Sequence, residues 1–294
     1  MATSWQAQVE GLSALEPAGK LAAIEAIAAD ALVAARADEV GGAEADALRA
    51  ALVEVIEADV GSGKQRQPLG ELLGYLGDPR LRSPSDAAYW ASLTLRSGDT
   101  YQLGRFAVTN QEFQAFVESG GYTERELWSD EGWAWLQGCD NPWPELSSRD
   151  DAAIFLVPNQ PVVGVSHHEA SAYAAAHGAR LPRWYERVWA VRGAQKRPYP
   201  WGSPFGEGNA NTKEEVLGRP CAVGLYRRDC TPEGIFDLAG NAGEWSGEAA
   251  SDEWLLHPGS WDQPSLAAWA KALTTEAPSA RWAGLGFRLA RDAE

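Results

Sequence analysis

The side chains that could bind a transition metal or act as a nucleophile are few in this chain. They are four histidines and three cysteines: His167, His168, His177, His257, Cys139, Cys221 and Cys230. No two cysteines have the CxxC spacing, which disfavours a zinc site. His167 and His168 are adjacent, so on a helix their side chains would point about 100° apart and could not bind one ion together. The sequence therefore predicts no local metal motif built on histidine or cysteine.

Oxygen ligands for a harder cation occur in the segment 240–245, which reads Gly-Asn-Ala-Gly-Glu-Trp. Asn241, Glu244 and the backbone carbonyl of Ala242 would suit calcium, which prefers oxygen ligands on a tight turn. In the alternative interpretation, Asn241 caps the turn and Glu244 pairs with an arginine. Arg288 is a candidate for that pair. Both interpretations stay open from the sequence, and no cofactor other than calcium is expected.

The first 80 residues have the pattern of helices. Between about Pro17 and Val60, apolar residues recur at steps of three and four, which is typical of one buried helix face. Gly41 and Gly42 interrupt the pattern and predict two helices in a hairpin. We expect a linker over Gly61–Pro68 and a short helix over Leu69–Leu76. The hairpin could pack on the rest of the chain or on a second copy in a homo-oligomer.

Beyond residue 86 the chain becomes rich in Trp, Gly and Pro, and its elements become short. The pattern predicts helices over Val108–Val117, after a cap at Thr109 or Asn110, and over Trp184–Val191. A third helix is expected after a Ser166 cap, and a short buried strand over 161–165. After Gly193 we predict only short strands and loops.

Composition excludes several classes of partner. The 294 residues carry a formal net charge of -16, which disfavours nucleic acid and anionic membrane surfaces. Hydrophobic residues make up 45% of the chain, enough for a substantial core. Few cysteines and no basic, apolar leader segment lead us to expect a cytoplasmic protein whose partner is an unknown protein or a small molecule.

A series of motifs from about residue 98 onward resembles the formylglycine-generating enzyme (sulfatase-modifying factor) family. The motifs occur in family order: 106–113, 161–166, 180–182, 199–202, 209–211, 220–224, 234–245, 259–261 and 284–288. The resemblance implies an α+β protein with a C-type-lectin-like domain over 81–294, preceded by a helical hairpin and linker over 1–80.

The family has several functions, and each implies a residue test. The copper oxidase needs two thiolates shortly after the turn that is Gly259-Ser260-Trp261 here, yet no cysteine follows Cys230. The ergothioneine-type synthase needs a three-histidine iron site, built partly on an upstream helical bundle. The N-terminal segment of this chain has no histidine. Both tests argue against these two enzymes and make catalysis uncertain.

The third family function is ligand display, as in the variable proteins of diversity-generating retroelements, which have their diversified segment before a Gly-Phe-Arg ending like that at 286–288. We therefore expect a non-catalytic ligand-binding protein with no catalytic residues. The expected binding residues are Trp254, Trp261, Asp262, Gln263, Ser265, Trp269, Lys271, Thr274, Thr275, Glu276 and Trp282. The alternative is a divergent metal-dependent oxygenase of the formylglycine-generating-enzyme or ergothioneine-synthase type. It would bind iron through His167, His168 or His257 with acidic neighbours.

Overall fold

The computed structural model describes residues 5–139 and 152–293. Within them the main helices are α1 (Gln6–Val9), α2 (Pro17–Arg36), α3 (Gly42–Glu57), α4 (Gly63–Tyr75), α5 (Asn110–Glu118), α6 (Asp130–Gln137), α7 (His167–Ala176) and α8 (Trp184–Arg192). The strands are β1 (Trp90–Thr94), β2 (Thr100–Gly104), β3 (Gly243–Ala250), β4 (Glu253–His257), β5 (Thr274–Glu276), β6 (Leu285–Gly286) and β7 (Ala290–Asp292). No helix among these residues is both long and apolar enough to cross a membrane.

Helices α2 and α3 confirm the predicted hairpin. The apolar stripe of α2 is buried, and Ile24 and Ala31 are fully inaccessible. It packs in one cluster with Leu48 and Leu52 of α3 and with Leu69 of α4. Burial of this stripe, rather than the intrinsic preference of its residues, supplies most of the stability of such helices.

Helix α4 begins earlier than the sequence predicts, and the linker expected over Gly61–Pro68 is wrong. The Ser62 side chain accepts a hydrogen bond from the Gln65 backbone N–H, and Gln65 Oε1 accepts one from the Ser62 backbone N–H, which completes a capping box. Pro68 lies inside the helix, where it removes one backbone hydrogen bond. The cap and the burial of Leu69 outweigh that loss.

Two sheets form the scaffold of the C-terminal region. One has the order β1-β2-β7 with antiparallel pairs, and the other has the order β5-β4-β3-β6, in which β3 and β6 run parallel. The strand predicted over 161–165 is wrong, since only Pro161 makes a single bridge, to Thr109. Its backbone groups bond to several segments: Val162 N to Val108 O, and Gly164 N to Trp282 O and Leu285 O. A ladder with one neighbour therefore cannot form.

The helices predicted after caps are confirmed. Thr109 and Ser166 each begin a helix with a capping box, at α5 and α7. Helix α8 spans the predicted segment and ends before Gly193, whose φ of 52° is in the left-handed region. These helices pack around the sheets, and the mixed architecture confirms the α+β class.

Candidate functional site

Glu244, at the start of β3, is an ion-pair centre in the protein interior. Its carboxylate accepts hydrogen bonds from Arg187 Nε at 2.8 Å and from Arg288 Nη2 at 2.6 Å. All three side chains are at most 4% exposed. Burial alone would raise the pKa of Glu244, but the charges of Arg288 and Arg187 outweigh it and hold the pKa at about 2. The carboxylate is therefore ionised and fully paired, and the expected pairing of Arg288 is confirmed.

Asn241 is also held by protein groups. Its Oδ1 accepts from the Cys221 backbone N–H at 2.9 Å, and its Nδ2 donates to the Cys221 carbonyl at 3.1 Å. A φ of 73° fixes it in the left-handed region of the turn. With Asn241 used in this way and Glu244 between two guanidinium groups, the arrangement does not fit a calcium ion. The geometry agrees with the alternative interpretation, in which Asn241 caps the turn and Glu244 pairs with arginine.

The histidines do not form a metal site. His167 lies at the start of α7, the His168 ring lies tilted against Trp135 with 5.5 Å between centroids, and His257 is buried at the end of β4 opposite Glu244. Among the described residues, no three His, Cys, Asp or Glu side chains are grouped so as to bind a metal ion. The described part of the chain therefore fits neither the copper site nor the histidine iron site of the family.

A cavity of about 400 Å³ lies between α7, the segment 179–183 and the β3–β4 hairpin. Its floor is His167, whose ring stacks on Trp254 of β4 with 3.7 Å between centroids and 26° between planes. Trp245 also contacts His167, edge to face, with 5.5 Å between centroids. The aromatic contacts fix the imidazole in one orientation.

His167 is a neutral hydrogen-bonding group. Burial lowers its pKa to about 3, with a smaller contribution from the neighbouring His168. Its Nε2 lies 3.2 Å from the Ser246 carbonyl, so the Nε2 proton donates there. The unprotonated Nδ1 then lies 3.4 Å from the Ser171 hydroxyl, one helical turn away. The floor of the cavity thus offers an acceptor nitrogen and a hydroxyl group side by side.

Charged side chains form part of the cavity wall. Arg180 pairs with Glu186 at 2.7 Å and with Asp292 at 2.5 Å. Arg183 is half-exposed, and its Nη1 contacts the Tyr185 hydroxyl at 3.1 Å. Glu248, at the end of β3, accepts from the Trp184 backbone N–H at 3.1 Å. Both signs of charge are therefore present beside the aromatic floor.

The structure brings only part of the predicted binding set to this cavity. Of the eleven residues, Trp254 is in the cavity wall. Thr274, Thr275 and Glu276 form β5, which pairs with β4. The others lie elsewhere: Trp261 donates to Ala283 O, and Trp269 is 42% exposed. Sequence reasoning missed Ser171, although its spacing of four residues from His167 on a helix was a usable signal.

Comparisons with known proteins agree with this architecture. The model of the "Sulfatase-modifying factor enzyme 1-like domain" matches residues 82–293. Hercynine oxygenase of Mycolicibacterium thermoresistibile is 34% identical over 157 residues, which cover 50% of this chain and 35% of that protein. Formylglycine-generating enzyme of Bos taurus is 30% identical over 195 residues, covering 54% of this chain and 50% of the relative. The chain therefore spans about a third to a half of these relatives.

Among solved structures, the Treponema denticola variable protein 1 superposes with a TM-score of 0.51 at 16% identity, over 69% of this chain and 95% of that one. At this identity the likeness concerns the fold alone. It confirms the lectin-like fold and the resemblance to variable proteins that the motifs predict.

The display function expected from the sequence is wrong. Three mycobacterial relatives at 32–34% identity are named hercynine oxygenase, and this finding favours the oxygenase alternative. The prediction relied on two missing motifs, the copper thiolates and the N-terminal histidines, but the absence of a motif from this chain did not exclude similarity to oxygenases of the family. The relatives are enzymes, although a protein named inactive C-alpha-formylglycine-generating enzyme 2 of Mus musculus is also 30% identical. With the family model matching residues 82–293, this chain belongs to the family of sulfatase-modifying factor enzyme 1-like domains.

Proposed function

We propose that this chain is an oxygenase of its family and that a small organic substrate binds in the His167 cavity. The observation that carries the proposal is the stacked pair of His167 and Trp254 at the floor of a cavity of about 400 Å³. Support also comes from the relatives named for an oxygenase reaction on hercynine. Cavities of this size commonly hold ligands of small-molecule dimensions.

The lining suits a molecule with an apolar or ring portion and a charged end. Trp254 supplies a flat face, and Ala174, Ala175 and Leu181 supply apolar walls. Arg183 could bind a carboxylate, and Glu248 could lie against a positive group. The neutral Nδ1 of His167 and the Ser171 hydroxyl can hold or pass on a proton, because neither is consumed by an ion pair.

The described residues do not fit the metal that oxygen chemistry requires in this family. The match covers only 35–37% of the length of the mycobacterial relatives, so their oxygenase activity is a proposal for this chain.

The first test is binding. Hercynine is titrated into the purified chain by calorimetry, beside Trp254→Ala and the control Trp269→Ala, which removes an exposed indole outside the cavity. Loss of the stacking face should weaken binding about tenfold, or about 1.4 kcal/mol, while the control should bind as the unsubstituted chain does. Because the pKa of His167 is about 3, its imidazole should stay neutral and its NMR signals constant from pH 5 to 8.

The second test is turnover. The chain is incubated with hercynine, a thiol, oxygen and added Fe(II) or Cu(I), and products are identified by mass spectrometry. An oxidised hercynine product that disappears in Trp254→Ala supports the proposal. Absence of hercynine binding at millimolar concentration would refute the choice of substrate and site, and binding without oxidation under every condition would refute the oxygenase assignment.

A further inference from the structure

A second polar cavity lies between the segment 80–89, residues 105 and 106, and α5. Its enclosed inner part has about 20 Å³, room for about one oxygen atom. Its lining includes Arg80, Arg82, Tyr89, Arg105, Phe106 and Glu112. None of these residues lines the His167 cavity.

Three buried polar atoms in this lining have no hydrogen-bond partner among the described residues. They are Arg80 Nη1, Tyr89 Oη and Glu112 Oε1. Native proteins rarely leave such groups unpaired, since an unmade buried hydrogen bond is costly. Three such atoms, from separate segments but around one cavity, indicate a binding site for a small molecule.

The remaining atoms of the same side chains are held in place. Glu112 Oε2 accepts from the Thr109 backbone N–H at 2.8 Å and from the Thr109 hydroxyl at 2.6 Å. Arg80 donates to Asp78 through Nε at 2.9 Å and through Nη2 at 2.6 Å. These bonds orient the side chains and leave one atom of each for the guest, which is a preorganised arrangement.

The chemistry of the lining favours an acceptor as the guest. Arg80 and Tyr89 can donate, and the guanidinium of Arg105 donates to the backbone carbonyls of Ala88 and Glu233 rather than to a carboxylate. Burial raises the pKa of Glu112 to about 7, against the opposing hydrogen bonds from Thr109. Below that pH the carboxyl is protonated, and it becomes a third donor.

We propose that this cavity binds a small carboxylic acid, one of whose carboxylate oxygens accepts hydrogen bonds from Arg80, Tyr89 and protonated Glu112. The rest of the molecule occupies an adjoining open cavity of about 390 Å³, which shares Leu81, Arg82 and Glu112 with the inner one. Arg82 is 46% exposed and can move to admit the ligand. Ala115 and Tyr173 give the outer cavity apolar surface for a short alkyl chain.

Binding should depend on pH through Glu112. The charged and titratable groups facing it are Asp78, Arg80, Arg82, Tyr89, Arg105, Tyr173 and His177. Arg80 holds the pKa of Asp78 low against its burial, and burial lowers the pKa of His177. Between pH 6 and 8 Glu112 changes charge, because its pKa is about 7. The protonated fraction of Glu112 falls about tenfold from pH 6 to pH 8, and the affinity for the carboxylate ligand should fall with it.

The experiment titrates acetate, propionate and butyrate into the full chain by calorimetry and NMR at pH 6, 7 and 8. We expect about tenfold weaker binding at pH 8 than at pH 6, and uptake of a proton on binding. Propionamide, which has the same shape without the charge, should bind much more weakly. If none of the acids binds, the cavity holds water only and the proposal is overturned.

Substitutions distinguish binding at this cavity from binding elsewhere on the protein. Glu112→Gln keeps a donor at every pH, so its binding should lose the pH dependence, whereas Tyr89→Phe should weaken binding about tenfold. Tyr185→Phe, which removes a hydroxyl at a different surface, is the control and should leave binding unchanged. Persistence of the pH dependence in Glu112→Gln contradicts the proposal, provided that circular dichroism shows both variants folded.

Discussion

At the scale of single residues, Glu244 shows how an acidic group can be structural in a family defined by its chemistry. It connects α8, through Arg187, with the C-terminal segment, through Arg288. The Arg288 guanidinium also donates to the carbonyls of Gly104 and Phe236. One carboxylate therefore ties together segments that are distant in the chain, because each buried charge needs its partner.

Replacing Glu244 with glutamine should strongly destabilise the fold. Two buried guanidinium groups would lose their counter-charge, and the expected loss is about 3–5 kcal/mol in the free energy of unfolding, measured by urea denaturation. Glu253→Gln, at an exposed strand position, should change it by less than about 0.5 kcal/mol. A loss below about 1 kcal/mol in Glu244→Gln would contradict the structural role.

The unfolding free energies of the unsubstituted protein and of Glu244→Gln should become more similar at low pH. Since the pKa of Glu244 in the folded state is about 2, below its ordinary value of 4.5, its stabilisation is complete above pH 4.5 and is lost as pH falls toward 2. The difference in unfolding free energy between the two proteins should therefore shrink over that range. A difference that stays constant down to pH 2 would show that charge does not contribute.

At the scale of elements, the sequence predicted what is local. Helices α2, α3, α5, α7 and α8 were predictable because their apolar spacing and caps lie within the element itself. The start of α4 was not, because Pro68 and two glycines, Gly61 and Gly63, suggested a linker. Two glycines of α4 are required by distant partners: a Cβ on Gly63 would lie 2.0 Å from Tyr226 Oη, and one on Gly74 would lie 2.4 Å from Asn159 Oδ1.

The candidate site was predictable only in part for the same reason. Ser166 correctly predicted where α7 begins, and Trp254 was among the predicted binding residues. The contact between His167 and Trp254 was not predictable, because the β3–β4 hairpin brings Trp254 onto a histidine that lies far away along the chain. A single sequence carries no signal for such long-range contacts.

Glycine substitutions test the close packing of α4. Gly70→Ala places a methyl group 2.8 Å from Ala222 Cβ, so despite the better helix propensity of alanine we expect a loss of about 1–3 kcal/mol. Gly19→Ala in α2 is the matched control: its nearest contact is 3.4 Å, and it should stabilise by about 0.5–1 kcal/mol. Thermal denaturation compares both, and equal effects would contradict the packing argument.

At the scale of the molecule, the N-terminal helices and the C-terminal region share one core. Cys221, Leu225 and Tyr226 belong to the same buried cluster as the apolar residues of α2, α3 and α4. Hydrogen bonds cross the same boundary, from Asn159 Nδ2 to Gly70 O at 3.0 Å and to Asp78 Oδ2 at 2.9 Å. The domain boundary predicted between residues 80 and 81 therefore stays a prediction. Because the two parts share buried side chains, we expect that they do not unfold independently.

We accordingly expect one cooperative unfolding transition. Calorimetry of the full chain should show a single peak, and Cys221, which is fully buried, should react with a thiol reagent only at the rate of global unfolding. Removing residues 1–76 should expose this cluster and lower the melting temperature or cause aggregation. Two separate peaks, or a truncated chain with an unchanged melting temperature, would refute this.

Helix α7 has one further consequence. Ser171 and Ala174 form part of one cavity wall, while Tyr173, between them in sequence, lines the other cavity. If a ligand in one cavity displaces α7, the shape of the other cavity changes as well, because α7 lines both. Occupants of the two spaces should therefore alter each other's affinity, and by the reciprocity of linked equilibria each should do so by the same factor.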